Sequence, residues 1–111
     1  MELNIRMVGD ILVIMIPEEV DSGNAGEVNE AIGQLMADNV NRLVFDFTGN
    51  EYISTAGLRV FLETLNKIKA RKGKMSMFGM NELVYEVFDI TGFVEVFAVK
   101  SGEEEAMAAV S

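Results

Sequence analysis

The chain has 111 residues, 50% of them hydrophobic, with 18 acidic and 9 basic side chains and a formal net charge of −9 at pH 7. That length suits one domain around one core, and the acidic balance argues against nucleic acid or an anionic membrane as partner. Without His or Cys, the sequence excludes a Ser-His triad, a thiolate nucleophile and a zinc site of the usual N/S kind, leaving acid–base work to carboxylates, Lys or Tyr.

No apolar run approaches the roughly 20 residues that cross a bilayer. The opening "MELNIRMVGD" has no basic segment followed by an apolar stretch, so no signal peptide is expected. Absent cysteine fits a reducing compartment, and a cytoplasmic location is the expectation. The charge is unevenly spread. Arg59, Lys67, Lys69, Arg71, Lys72 and Lys74 are six of the nine basic residues, whereas the first 51 residues carry ten acids against Arg6 and Arg42. Such a dipolar surface suits an oriented protein partner, and equally a solvated face that keeps the protein soluble.

The chain begins with "LNIRM", which alternates as a half-buried strand does, and "VGD" reads as a tight turn into the apolar run "ILVIMI". The pair predicts an antiparallel hairpin whose second strand is buried on both faces and ends at Pro17. From 24 to 38, Val28, Ile32, Leu35 and Met36 recur at helical spacing, with Asn24 and Glu27 spaced as a capping box. "RLVFDF" predicts the next buried strand, closed by the turn signal "TGN". Leu58, Phe61, Leu62, Leu65 and Ile68 then line one stripe of a second helix that ends before Gly73. "KMSMF" predicts another core strand, Asn81 caps a short helix with Gly92 as its stop, and "FVEVFAV" alternates as an edge strand. Ser101 and Glu104 open a last helix.

The predicted order is β-β-α-β-α-β-α-β-α, an α/β fold with a mixed, mostly parallel sheet and an antiparallel N-terminal edge strand. Ligand and partner sites of such sheets gather at the carboxyl ends of the parallel strands. "PEEVDSG", "TGNEYISTAG" and "GMNE" are the three loops at that end.

"YISTAGLR" stands out among them. A hydroxyl at a helix start has an ordinary role as a cap, worth about 1 kcal/mol. A cap needs one hydroxyl, and here Ser54 and Thr55 are adjacent, followed by small Ala56 and Gly57. An open helix N-terminus favours a phosphate, because its free N–H groups and dipole point outward. A phosphorylated side chain there would add roughly −1.5 to −2 charge beside Asp21, Asp46 and Glu51.

Over nearly its whole length the sequence resembles single-domain STAS proteins, the anti-sigma factor antagonists. The stretches that carry this are "LVIMIPEEVDSGNAGEVNEAI", "RLVFDFTGNEYISTAGLRVFLETL" and "DITGFVEVF". The family pattern is an aromatic and an aliphatic residue, often Asp, then Ser or Thr, a small residue, Gly and Leu. Tyr52 through Leu58 follow it, with Ser54 in the place of the Asp. The resemblance implies one STAS domain over 1–111 and places the phosphoacceptor on Thr55, with Ser54 as the second candidate. It matches the acid that opens the first crossover helix to Asp21, beside Ser22, and the strand-end acid to Asp46. Asp21 is equally a turn or cap residue, and Asp46 a residue that ties down the next loop.

What the resemblance implies for function is a partner switch. The unmodified chain binds an anti-sigma factor that is also a serine/threonine kinase, a sigma factor goes free, phosphorylation of Thr55 releases the chain, and a phosphatase resets it. The chain is then no enzyme and needs no cofactor, since ATP and magnesium belong to the kinase. A monomer with no direct contact to nucleic acid or membrane is expected. The partner surface comprises Asp21 and Ser22 from one loop and Ser54, Thr55, Ala56 and Gly57 from the next. Arg59 joins it as a charge for a partner's acids, and Met80 as an adaptable thioether, though a solubilising charge and core filling are their ordinary roles. Two rivals remain at this stage. One is a receiver-like phosphoryl-transfer domain using Asp46 with magnesium; the other is a STAS scaffold or sensor module without a phospho-switch.

Overall fold

The backbone starts as a hairpin. In this computed structural model, which describes residues 1–36 and 39–111, β1 (Ile5–Val8) pairs antiparallel with β2 (Ile11–Met15), from Val8↔Ile11 to Ile5↔Ile14. Gly9, at φ +61°, takes the left-handed conformation that a two-residue hairpin turn requires at its first position. Next come β3 (Glu19–Val20), α1 (Ala25–Leu35), β4 (Arg42–Asp46) and β5 (Tyr52–Ile53). The chain continues through α2 (Thr55–Ala70), β6 (Lys74–Phe78), α3 (Glu82–Ile90), α4 (Phe93–Val96), β7 (Val99–Lys100) and α5 (Glu103–Ala109). The main sheet runs β1-β2-β4-β6-β7, parallel beyond the hairpin, and β3 and β5 pair parallel as a separate small sheet.

The two faces of the sheet are covered unequally. Leu12, Ile14, Leu43, Phe45 and Met77 point to the face where α1, α2 and α3 pack. Ile11, Val13, Val44 and Phe78 point to the other, where α5 lays Ala106 and Val110. Thus β2 is buried on both faces, as its continuous apolar run predicts. By contrast β1, expected to be half-buried, is exposed at all four residues, and of its neighbourhood Leu3 reaches the core. Arg6 of β1 pairs with Glu103 of α5.

Rings join the layers on the larger side. Phe45 and Phe61 meet edge to face at 5.0 Å, and Phe47 lies 5.4 Å from Phe61 and 5.9 Å from Phe88. The chain of contacts continues from Phe88 to Phe97 at 5.6 Å and from Phe97 to Phe93 at 5.5 Å. Those last contacts explain why "FVEVFAV" is not the expected strand. Phe93 and Phe97 are four residues apart, so their spacing serves a helical turn as well as an alternation, and burying Phe97 against Phe88 with Phe93 packed on Phe97 selects the helix. Ala98, at φ 52°, then turns the chain into β7, which keeps one residue of the expected strand, Val99.

Two predicted caps form differently. Asn24 does not cap α1 with Glu27; its Oδ1 accepts from the Asp21 N–H at 2.9 Å and its amide donates to the Glu19 carbonyl at 2.8 Å. Asp21 supplies the turn instead, accepting from the N–H groups of Gly23 and Asn24. The described part of this helix ends at Leu35 with Met36 as C-cap; positions 37 and 38 lie outside the described residues. At α5 the start moves to Gly102, and Ser101 donates to the Glu105 carboxylate rather than pairing with Glu104. Asn81 does cap α3, accepting from the Val84 N–H at 2.8 Å, and Gly92 ends it at φ 77°.

Phe61 touches the rings of Phe45 and Phe47 and is wholly buried. Phe61→Ala is expected to lose about 3–5 kcal/mol of stability in urea unfolding, the range for removing a buried ring.

Candidate functional site

The carboxyl ends of β2, β4 and β6 lie side by side, and the loops that leave them are held together by Asn50. Its amide donates to the carbonyls of Pro17 at 2.8 Å, Glu18 at 3.3 Å and Tyr52 at 3.1 Å. Its own carbonyl accepts from the Asn81 amide of the third loop at 3.4 Å. The side chain is 2% exposed, and its Oδ1 has no donor among the described residues. The backbone adds Glu51 N–H to Glu18 O at 2.7 Å and Ser54 N–H to Val20 O at 2.9 Å. Together these bonds make β3 and β5 a pair, with Val20 opposite Ile53. The two chains leave this pair side by side, one into Asp21 and Ser22 and the other into Ser54 and Thr55.

The two hydroxyls divide their tasks. Ser54 is extended, at φ −97° and ψ 174°, and its Oγ accepts from the Gly57 N–H at 3.3 Å, so it is the N-cap of α2. Thr55 is the first helical residue, exposed, and its hydroxyl has no hydrogen-bond partner among the described residues. Arg59 follows one turn later, exposed on the same face of α2. Gly57 is buried: a Cβ there would meet Ile53 Cγ1 at 2.8 Å and the Val20 carbonyl at 2.9 Å, so only glycine lets α2 start this close to β3 and β5.

Around this helix start the surface is acidic. Glu18, Glu19 and Glu51 meet where β3 and β5 begin, and the Glu51 carboxyl is held above its ordinary value of 4.5. The main cause is a hydrogen bond with the Glu18 carboxyl, followed by the repulsion of its charge, a small loss of solvent and the charge of Glu19. Among the described residues no group of three or more His, Cys, Asp or Glu is placed to hold a metal ion, and no helix is long and apolar enough to cross a membrane.

The structure thus brings Asp21, Ser22, Ser54, Thr55, Ala56 and Arg59 to one end of the molecule, with Gly57 beneath them. Met80 sits on the third loop, half-buried against the main core. Asp46 lies apart from solvent, its Oδ1 accepting from the Thr48 N–H at 2.9 Å and hydroxyl at 2.7 Å, the loop-tying role expected of a strand-end acid. The organising role of Asn50 is absent from the sequence reading, where it counts only as part of the turn "TGN". An Asn in a turn is ordinary, and its three acceptors come from backbone up to 33 residues away.

Comparison with known proteins places the fold in a family. The STAS domain family model matches residues 2–106. The candidate anti-sigma factor antagonist BtrV of Bordetella bronchiseptica is 30% identical over 109 residues, 98% of this chain and 94% of that protein. The anti-sigma-B factor antagonist of Listeria monocytogenes is 27% identical over 96 residues, 86% of this chain and 84% of its own. An anti-sigma factor antagonist from Mycobacterium paratuberculosis has the same fold, with a TM-score of 0.87 at 22% identity, covering 97% and 92% of the two chains. So does the Bacillus cell fate determinant SpoIIAA in its phosphorylated form, with a TM-score of 0.71 at 17% identity over 93% of each chain. The chain belongs to the STAS-domain family of anti-sigma factor antagonists.

Two measurements probe the site's construction. Asn50→Ala is expected to cost about 1–3 kcal/mol, and the isosteric Asn50→Asp more, because a carboxylate would face three carbonyl oxygens; urea titration of both variants checks the order. The fold favours protonated Glu51, so its contribution is complete below the unfolded value and is lost as pH rises through the raised folded value. Glu51→Gln keeps a donor toward Glu18 and should flatten the fall in melting temperature that wild type shows above the ordinary value of 4.5.

Proposed function

We propose that this chain is an anti-sigma factor antagonist that works by partner switching, with Thr55 as the switch. What supports the reading above all is the division of labour at the start of α2. Ser54 uses its hydroxyl for the cap, and Thr55 offers a free, exposed hydroxyl directly beside it. Relatives named as antagonists of anti-sigma factors across most of the chain add to this.

In this reading the unmodified end of the sheet docks an anti-sigma factor that is a serine/threonine kinase of the bacterial cytoplasm. A bond forms between Thr55 Oγ1 and the γ-phosphorus of the kinase's ATP, ADP leaves, and the hydroxyl proton passes to a base of the kinase. The chain is substrate and ligand, not enzyme, and a phosphatase hydrolyses the phosphate to reset it. The new dianion arises on a surface already crowded by Glu18, Glu19 and Glu51, so a docked partner must either supply cations or leave. Arg59, one turn along the same face, offsets part of that charge. A 1000-fold fall in affinity requires about 4 kcal/mol, within the reach of one buried, unpaired phosphate.

The test is titration of the kinase with wild type, Thr55→Ala and Thr55→Glu, together with mass mapping of the phosphorylated site. Thr55→Ala should bind like wild type and accept no phosphate, and Thr55→Glu should bind at least about 100-fold more weakly. Equal binding by the two variants, or phosphate found on Ser54, would remove Thr55 as the switch.

A further inference from the structure

Beside the Ser54–Thr55 loop, β5 and α3 leave an open groove of about 280 Å³. Its floor is Ile53 and Val84, both buried. Tyr52 forms one wall, and Leu83, Val87 and Ile90 form the other. Val84 and Phe88 already anchor α3 to the core. Leu83, Val87 and Ile90, spaced four and three residues apart, make a second apolar stripe on the same helix, with Leu83 71% and Ile90 77% exposed. Scattered exposed leucines need no explanation. Three apolar residues aligned along a helix, facing a half-exposed tyrosine across a groove, are a different pattern.

The rim has one sign of charge. Glu51 and Glu86 line it, Glu18 stands against Glu51, and Glu82 and Asp89 lie on α3. No Lys or Arg occurs between Lys74 and Lys100, and neither ion pair found among the described residues reaches these acids. An apolar floor with an unpaired acidic rim is complementary to apolar anchors flanked by cations.

We propose that this groove docks a short amphipathic segment of a protein partner. Two apolar side chains one helical turn apart sit between Tyr52 and the Leu83–Ile90 stripe, and Lys or Arg beside them faces Glu51 and Glu86. The identification of that partner as the anti-sigma factor rests on the partner-switch reading; the groove's chemistry does not. A second copy of this chain is a poorer occupant, because its basic run "NKIKARKGK" carries its one large apolar residue, Ile68, wholly buried. An anionic lipid surface would be repelled by the rim. Since Tyr52 and Ile53 lead straight into Ser54, a segment held here lies next to Thr55. The partner is then attached at two points, of which a phosphate opposes one.

A test independent of the partner's identity is an NMR titration of the isotope-labelled chain with two synthetic helical peptides. One carries two leucines a turn apart flanked by arginines; the other has glutamate in place of each arginine. The arginine peptide should shift the amides of Tyr52, Leu83, Val87 and Ile90, and the double variant Leu83→Ser/Ile90→Ser should bind it at least about tenfold more weakly. Those two side chains face solvent, so the fold is retained. Equal shifts from both peptides, or shifts confined to another surface, overturn the proposal. A concentration-dependent dimer of the wild type that the double variant abolishes also overturns it, in favour of self-association. With the anti-sigma factor kinase itself, equal affinity for wild type and the double variant removes the groove and leaves the Thr55 switch standing. Weakening by the double variant but not by Thr55→Glu keeps the groove and removes the switch.

Discussion

One side-chain amide carries the geometry of the loop-bearing end of this molecule. Parallel strands deliver their loops to a common edge without joining them, and backbone left unpaired there would be costly wherever water is excluded. Asn50 meets that constraint with a single NH₂ group shared among three carbonyls, while its main-chain oxygen takes the Asn81 amide. Glu18 and Tyr52 are thereby held close enough to zip β3 to β5, and that short pair fixes where α2 begins. Gly57 completes the arrangement by removing the one side chain that would push the helix away. Remote backbone, a buried amide and a missing Cβ determine the direction in which Thr55 points.

The same construction sets the electrostatics. Zipping β3 to β5 brings Glu18 and Glu51 together, so the fold itself creates the carboxyl–carboxyl hydrogen bond, and with it the like-charge contact, that raise the Glu51 pKa. Apart from Arg59 near its start, the basic residues of α2 sit at the far end of the helix, Lys67 and Lys69 in its last turn where the dipole favours them. The separation of charge seen in the sequence is therefore a separation in space: an acidic, groove-bearing end where loops meet, and a cationic end where α2 stops. Arg71 is part of that second end, donating to the carbonyls of Met36 and Val40 and so closing the terminus of α1. What the two ends share is a helix whose buried stripe of Leu58, Phe61, Leu65 and Ile68 leaves its polar faces free.

β1, β2, β4 and β6 of the main sheet and the helices α1, α2 and α3 were legible from their apolar runs and spacings. "ILVIMI" and "KMSMF" are too short and too apolar for anything but buried strands in this context, and Leu58 to Ile68 repeats at helical spacing. "FVEVF" was not legible, because phenylalanines four apart satisfy both periods, and the ring of Phe88, distant in the pattern, decides between them. β3 and β5 escaped for another reason. Two-residue strands have no period at all, and they exist because a long-range amide holds them. The hydroxyl pair at 54 and 55 was visible as a place where something could happen; which hydroxyl serves the helix depended on a turn geometry that sequence spacing does not specify. The loop-tying role of Asp46 could be anticipated, since an acid that follows a buried strand has few other partners.

The cap at Ser54 has a consequence for how chains of this family can drift. An N-cap asks for a short side chain with an acceptor oxygen, and Ser, Asp, Asn and Thr all supply one at similar helix stability. Where related chains carry Asp at this place, the helix start is served equally well, and the exchange to Ser removes a full negative charge without loosening α2. Position 54 is thus a dial that sets the field beside its neighbour while the architecture stays still. Two chains with superimposable backbones can differ there in how strongly they repel or welcome a charged visitor, and a substitution that is silent in a melting curve need not be silent in a partnership.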